Sequence, residues 1–302
     1  MWLQKSSHYR TRRPSGALNP PFFGRCHNGF GDVSTGFTEV VTLADTKTTV
    51  ANAPIWLDLS SSDAAASRDY YSKVFGWKVE VNPDPQYGGY GIAKLNGKDV
   101  AGIGPKMDPN GPSAWLIYVG TGDADEAVKK ITAAGGKVIA PPMQVGPQGR
   151  MAVFQDPSGA FLGLWEPALM KGAQVTQAPN SFAWAELNAR GIDKATPFYQ
   201  KAFGWSDKTS EMGGDMPPYH EFQVKGESVS GGMEMNPMVP KEVPSYWMPY
   251  FGAEDVDKAH QKAIAAGGKE MLPPQDFPGG RFSILQDPEG AAFGLMKMEP
   301  QS

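Results

Sequence analysis

One cysteine, Cys26, occurs in 302 residues. A lone thiol excludes an internal disulfide and a thiolate metal cluster, and it points to a reducing, cytoplasmic compartment. Histidine is nearly as scarce: there are four, and none lies between His27 and His220. Long apolar runs are also missing, since no uninterrupted stretch approaches the roughly 20 residues of a membrane span. Positive charge is not in excess. The 28 Lys and Arg against 32 Asp and Glu give a net charge of -4, which disfavours binding driven by phosphate contacts. Neither nucleic acid nor a membrane is therefore expected as a partner. What the chain does have is glycine (36) and proline (27) within a composition that is 40% hydrophobic and 20% charged. Those are the values of a globular chain with many turns.

Residues 1–53 differ from the rest. The stretch "KSSHYRTRRPSGALNPPFFGRCHNGFG" carries five Lys and Arg before its first acid, Asp32, and shows no periodicity. It lacks the apolar core of a secretory signal. An Arg- and Ser-rich, acid-poor start resembles an organelle transit segment. The simpler reading, and the one favoured, is a disordered extension or an upstream start codon.

Beyond it the chain repeats itself. "SRDYYSKVFGW" (67–77) returns as "ATPFYQKAFGW" (195–205), "ITAAGGKVIAPP" (131–142) as "AIAAGGKEMLPP" (263–274), and "GRMAVFQDPSGAFLGLWEP" (149–167) as "GRFSILQDPEGAAFGLMKMEP" (280–300). Order and spacing are kept, so 54–168 and 180–299 read as two copies of one domain, joined by a linker at 169–179. Each copy reads as strand, helix and three strands, done twice. "PIWLDL" alternates as a strand does. Asp63 caps a following helix that Gly76 ends, and a second helix runs from about Asp123 to Ala134, stopped by Gly135-Gly136. The helices of the second copy fall near 192–203 and 255–266. This is an α+β pattern of four βαβββ units, in which paired units form curved mixed sheets that enclose a cavity.

At these residues the chain resembles the vicinal oxygen chelate superfamily, which includes glyoxalases, bleomycin-resistance proteins and extradiol dioxygenases. The shared features are the first strand with its "D…FY…FGW" helix, the "D-A-D…AAGGK" helix and the "QDP-x-G" hairpin before the last strand. They cover nearly everything after residue 53. The resemblance implies tandem glyoxalase-like domains. It also implies a divalent metal bound by His or Glu inside each concave sheet, and this sequence departs from that pattern. Trp56 and Trp184 stand where the first-strand His is usual. Gly163 and Gly294 stand where the last-strand Glu is usual, and Trp115 and Trp247 lie where the other half-unit often supplies a His. No metal and no other cofactor is therefore expected.

The candidate site residues follow from these positions. Trp56, Trp115, Trp184 and Trp247 would line the cavities and stack a planar or apolar ligand; the alternative is plain core filling. Asp58 and Glu186 lie two residues after a Trp on the same strand face. A carboxyl in such a cavity would have a raised pKa and could act as a general base beside a carbonyl. Otherwise each is structural, with Arg150 or Arg281 as a plausible partner. His220, with Glu221 or Glu234 nearby, would be a ligand-binding or acid–base group of the second cavity, or else a surface strand residue. His260 reads as solvent-facing. The methionines of the second copy would give a pliable pocket or ordinary filling, and "GGDMPP" (213–218) would be a flap over it. "GPQG" and "FPGG" lack the strand-to-helix setting of a phosphate loop.

Two main readings follow. The first is a metal-independent binder of a small apolar or aromatic metabolite or toxic compound, of the resistance or detoxification type. The second is a lyase, isomerase or hydrolase acting on a carbonyl compound, with Asp58 or Glu186 as base or with an unusual metal site. A purely interaction-based role is a third. A monomer or a homodimer is expected.

Overall fold

The computed structural model describes residues 52–106, 108–212 and 217–299. Residues 1–51 of the extension, Cys26 among them, and four residues of the expected flap (213–216) lie outside them. In the first copy the elements are β1 (Pro54–Ser61), α1 (Ala64–Phe75), β2 (Lys78–Val81), β3 (Gly91–Leu95), β4 (Lys98–Pro105), β5 (Ala114–Gly120), α2 (Ala124–Ala133), β6 (Lys137–Val145), β7 (Gly149–Gln155) and β8 (Phe161–Pro167). The second copy repeats them as β9 (Phe182–Ala189), α3 (Ile192–Phe203), β10 (Ser206–Ser210), β11 (Tyr219–Val224), β12 (Glu227–Glu234), β13 (Tyr246–Gly252), α4 (Val256–Ala265), β14 (Lys269–Phe277), β15 (Gly280–Gln286) and β16 (Ala292–Met298).

Each copy makes one eight-stranded sheet, ordered β2-β3-β4-β1-β5-β8-β7-β6 and β10-β11-β12-β9-β13-β16-β15-β14. The first strand of each βαβββ unit pairs in parallel with its last, and the two first strands pair antiparallel at the centre. The first sheet curls. A flat sheet of eight strands would hold its edges about 33 Å apart. Yet the Tyr87 hydroxyl, in the loop after edge strand β2, lies against Gly146, in the turn after edge strand β6.

Local chemistry explains the helices. Asp63 accepts from the Ala65 and Ala66 amides (both 3.0 Å), and Gly76 closes α1 with φ 72°. Asp123 and Asp255 cap α2 and α4 in the same way. Helix α3 has no side-chain cap of its own, because Gly191 stands at that position. Its end is capped from a strand: Glu234 accepts from the Gly191 and Ile192 amides (2.9 and 2.8 Å).

The helices of the two domains pack on each other, α1 against α4 and α2 against α3. One hydrophobic core runs through both domains on this side. Two hydrogen-bonded relays cross it in matching fashion. Trp115 Nε1 donates to the Tyr71 hydroxyl (3.0 Å), which donates to Asp287 Oδ2 of the other domain (3.1 Å). Trp247 Nε1 donates to the Tyr199 hydroxyl (2.8 Å), which donates to Asp156 Oδ2 (2.6 Å). Trp115 and Trp247 therefore belong to the interdomain core and do not line a cavity, which corrects the sequence-based expectation. The reason is strand parity. On β5, Trp115, Ile117 and Val119 join the helix-side core, while Leu116 and Tyr118 pack on the opposite face.

Three further expectations are corrected. His260 is buried (5% exposed), with Nε2 2.9 Å from Glu270 Oε2, because it shares a helix face with Val256 and Ala263. Arg150 pairs with Asp125 and Glu166, and Arg281 with Asp257 and Asp276, so neither serves Asp58 or Glu186. Glu221 binds Gln223 and Ser228, and Glu234 caps α3, so neither joins His220.

Candidate functional site

The helix-free face of each sheet carries its own aromatic cluster. In the first domain Ile55, Trp56, Tyr118 and Trp165 pack there, and in the second Met248, Tyr250 and Met296 with Trp184, Tyr246, Phe277 and Phe282. A single carboxyl sits within each.

Asp58 follows Trp56 by two residues on β1, so both project to this face. Trp56 Nε1 donates to Asp58 Oδ1 at 2.8 Å, and the Tyr90 hydroxyl donates to the same oxygen at 2.7 Å. Tyr118 is a third partner. Space for this arrangement comes from glycine. Gly102 is the register partner of Asp58 on β4, and a Cβ there would overlap the Tyr90 hydroxyl and the carboxylate. Burial pushes the Asp58 carboxyl above its ordinary value, and the three donors pull part of the way back.

The second domain varies the theme. The Tyr250 hydroxyl donates to Glu186 Oε1 at 3.0 Å, Asn188 Nδ2 stands 3.3 Å from the same oxygen, and Tyr219 is also bonded to this carboxyl. Trp184 Nε1 donates to the Tyr219 hydroxyl (2.8 Å) and not to the acid. Burial raises the Glu186 carboxyl as it does Asp58. Tyr90, Tyr118, Tyr219 and Tyr250 are all pushed well above their ordinary value, chiefly by burial and next by the neighbouring acid. They stay neutral phenols that can donate.

Of the residues singled out by sequence, the structure brings together Trp56 with Asp58 and Trp184 with Glu186. It separates Trp115, Trp247 and His220 from them. His220 alternates with Tyr219 on β11, so it shares the side of Phe222, which is in the interdomain core; its Nδ1 lies 2.8 Å from Asp207 Oδ2. Strand alternation alone does not single out the four tyrosines. Their signal was present in the repeat: "LIYVG" and "MPYFG" keep a tyrosine at one position, and "GGYG" and "PPYH" keep another.

The donor set does not fit the divalent ion that the resemblance implies. Such an ion needs several oxygen or imidazole donors converging at about 2 Å. Each aromatic cluster encloses one carboxyl, and among the described residues no group of three or more His, Cys, Asp or Glu could hold a metal. Trp56 and Trp184 present an N–H, which only donates. Gly163 and Gly294 offer no side chain, and a Cβ at either would run into the ring of Tyr118 or Tyr250. Tyrosine rings thus fill the room that a last-strand ligand would use.

Comparison with known proteins agrees with this architecture. The model of the Glyoxalase/Bleomycin resistance protein/Dioxygenase superfamily matches residues 54–164 and 181–295. CFP32 of Mycobacterium tuberculosis, which carries a provisional glyoxylase name, is 37% identical over 254 residues, covering 82% of this chain and 95% of that protein. The anthracycline biosynthesis protein DnrV of Streptomyces peucetius is 37% identical over 260 residues, covering 82% and 93%. Among solved structures, the Mn(II)-bound glyoxalase from Novosphingobium aromaticivorans superposes with a TM-score of 0.59 at 17% identity, covering 82% of each chain. The 2,3-dioxygenase LapB from Pseudomonas sp. KL28 gives 0.60 at 15%, covering 84% of this chain and 96% of that one. At such identities the likeness shows the fold alone.

Proposed function

Because the chain belongs to the Glyoxalase/Bleomycin resistance protein/Dioxygenase superfamily, we propose that it binds a small apolar or aromatic compound on the helix-free face, without the divalent metal typical of that fold. One observation carries this reading: a buried carboxyl ringed by tryptophan and tyrosine occupies the ground where metal ligands would converge. Flat aromatic walls favour flat ligands, and one acid among neutral donors can fix the ligand's orientation. Two relatives named for anthracycline biosynthesis are consistent with a planar polycyclic ligand. The role would be of the resistance or detoxification type, in a cytoplasmic monomer or homodimer. Titration of tryptophan fluorescence with planar polycyclic compounds, on protein treated with a chelator, tests it. Saturable quenching that survives the chelator is expected. Binding that appears only when a divalent ion is restored would overturn it.

A second reading has its own observation. The Glu186 carboxyl, raised by burial and bonded to Tyr250, has the character of a general base for removing a proton beside a carbonyl. Tyr250 or Tyr219 would then donate to the oxygen on which charge develops. Proton exchange at the α-carbon of a bound ketone, lost in Glu186→Gln, is the expected result under that reading.

A further inference from the structure

The two carboxyl centres descend from one repeat but are not built alike. In the first domain the half-buried acid is held by a buried indole. Asp58 Oδ1 takes both Trp56 Nε1 and the Tyr90 hydroxyl (2.8 and 2.7 Å), and Trp56 is 1% exposed. Tyr87 reaches across the open side of the sheet to Gly146. The chain leaving β8 then folds back onto the same face. Trp165 Nε1 donates to the Met170 carbonyl (2.9 Å), the Met170 side chain packs on the cluster, and the Ala173 amide donates to the Ile55 carbonyl (2.8 Å). The segment read from sequence as a linker is thus part of this domain's cover.

In the second domain the corresponding positions are looser. Trp184 is partly exposed where Trp56 is buried, and its N–H goes to Tyr219, leaving the acid without an indole partner. The contact of Asn188 to Glu186 is long at 3.3 Å. Tyr246 stands at the position of Ala114, opposite Asn188 in register, and adds a partly exposed phenol. Met296 replaces Trp165, exchanging a rigid ring for an adaptable chain. Phe277 and Phe282 meet edge to face (5.7 Å) and keep accessible surface. Partly exposed aromatic rings thus flank the half-buried carboxyl of Glu186.

We propose that the second domain alone is the binding site, that it takes one planar aromatic compound bearing a phenolic or enolic hydroxyl that donates to Glu186, and that the first domain keeps its acid as a structural centre bonded to the Trp56 indole. The proposal rests on the binding reading above and narrows it to one face and one ligand class. A ligand hydroxyl is called for because a carboxylate accepts strong charge-assisted bonds and Glu186 lacks the indole donor that Asp58 has.

The test uses the full chain, with 1,2-dihydroxyanthraquinone and unsubstituted anthraquinone as probes, followed by calorimetry and native mass spectrometry. One dihydroxyanthraquinone per chain is expected. Glu186→Gln and Trp184→Phe should each weaken it about tenfold or more, the scale of one charged hydrogen bond, and each loss should exceed that of Asp58→Asn. Anthraquinone itself should bind at least about tenfold more weakly. Circular dichroism of each variant separates lost binding from lost folding, and Trp184→Phe serves if Glu186→Gln fails to fold. Two equivalents per chain, or equal losses from Asp58→Asn and Glu186→Gln, would overturn the asymmetry and leave the binding reading standing. Equal affinity for the two probes would overturn the assigned ligand class. No binding of either probe to folded, chelator-treated protein would overturn the binding reading and this inference together.

Discussion

Asp58 and Glu186 are acids that the protein surrounds with neutral donors and no cation. Their stabilisation comes from phenol hydrogen bonds, joined by an indole at Asp58 and an amide at Glu186, and burial outweighs it, so both carboxyls titrate above their ordinary values. The sign of the consequence is fixed. A raised carboxyl binds its proton more tightly folded than unfolded. That contribution to stability is full below the ordinary value, 4.5 for Glu186, and is lost as pH rises through the folded value. Glu186→Gln has no charge to bury. Its melting temperature relative to wild type should therefore climb from about pH 4 towards neutrality and then level off; a difference that stays flat across that range would refute this account. The glycines beneath the tyrosines are equally constrained. Gly163→Ala forces a Cβ into the Tyr118 ring, and overpacking of this sort costs about 1–3 kcal/mol. Urea unfolding should register that loss, and Gly294→Ala should match it against Tyr250.

Elements differ in how far their determinants lie from them, and this decides what a sequence reveals. Helices α1, α2 and α4 carry an Asp cap at their own start, so all three were legible. The cap of α3 is Glu234, which lies in β12 and reaches back across 43 residues; from sequence it reads as one more acid near His220. Removing either kind of cap should cost a similar amount, about 1 kcal/mol. Asp63→Ala and Glu234→Ala should thus lower the midpoint of chemical denaturation comparably, and an unchanged midpoint in Glu234→Ala would show the strand-borne cap to be idle. Strands demand parity as well as pattern. The shared face of Trp56 and Asp58 is legible because both lie on one short run. The face of Trp115 is not legible because its run is apolar on both sides, so alternation cannot say which side meets the helices. The burial of His260 is not legible because its polarity masks a helical stripe of Val256, His260 and Ala263. The tyrosines escaped notice because what recruits them, a missing Cβ at Gly102 or Gly231 on the next strand, exists only once the sheet has formed.

At the scale of the molecule the two domains are held by more than a tether. Tyr71, Phe75, Trp77 and Trp115 of the first domain interlock with Phe251 and Phe293 of the second, and Phe154 of the first packs on Phe198 and Phe203 of the second. Trp77 Nε1 donates to the Asn180 carbonyl and Trp205 Nε1 to that of Asn52, each crossing between domains. Separation would expose these rings and strand both Tyr–Asp relays, and each buried polar group left without its partner costs about 1–3 kcal/mol. The covalent link should therefore be dispensable once the chain has folded. Leu169 is exposed (69%) in the segment between the domains, so a protease site engineered there is accessible to cleavage. After cleavage the two fragments should co-elute on size exclusion under native conditions and separate only in denaturant. In a background carrying Tyr71→Phe and Tyr199→Phe, which break both relays, the nicked protein should come apart at a lower denaturant concentration than the nicked wild type. Fragments that separate without denaturant would show that the helix-side core does not by itself hold the domains together.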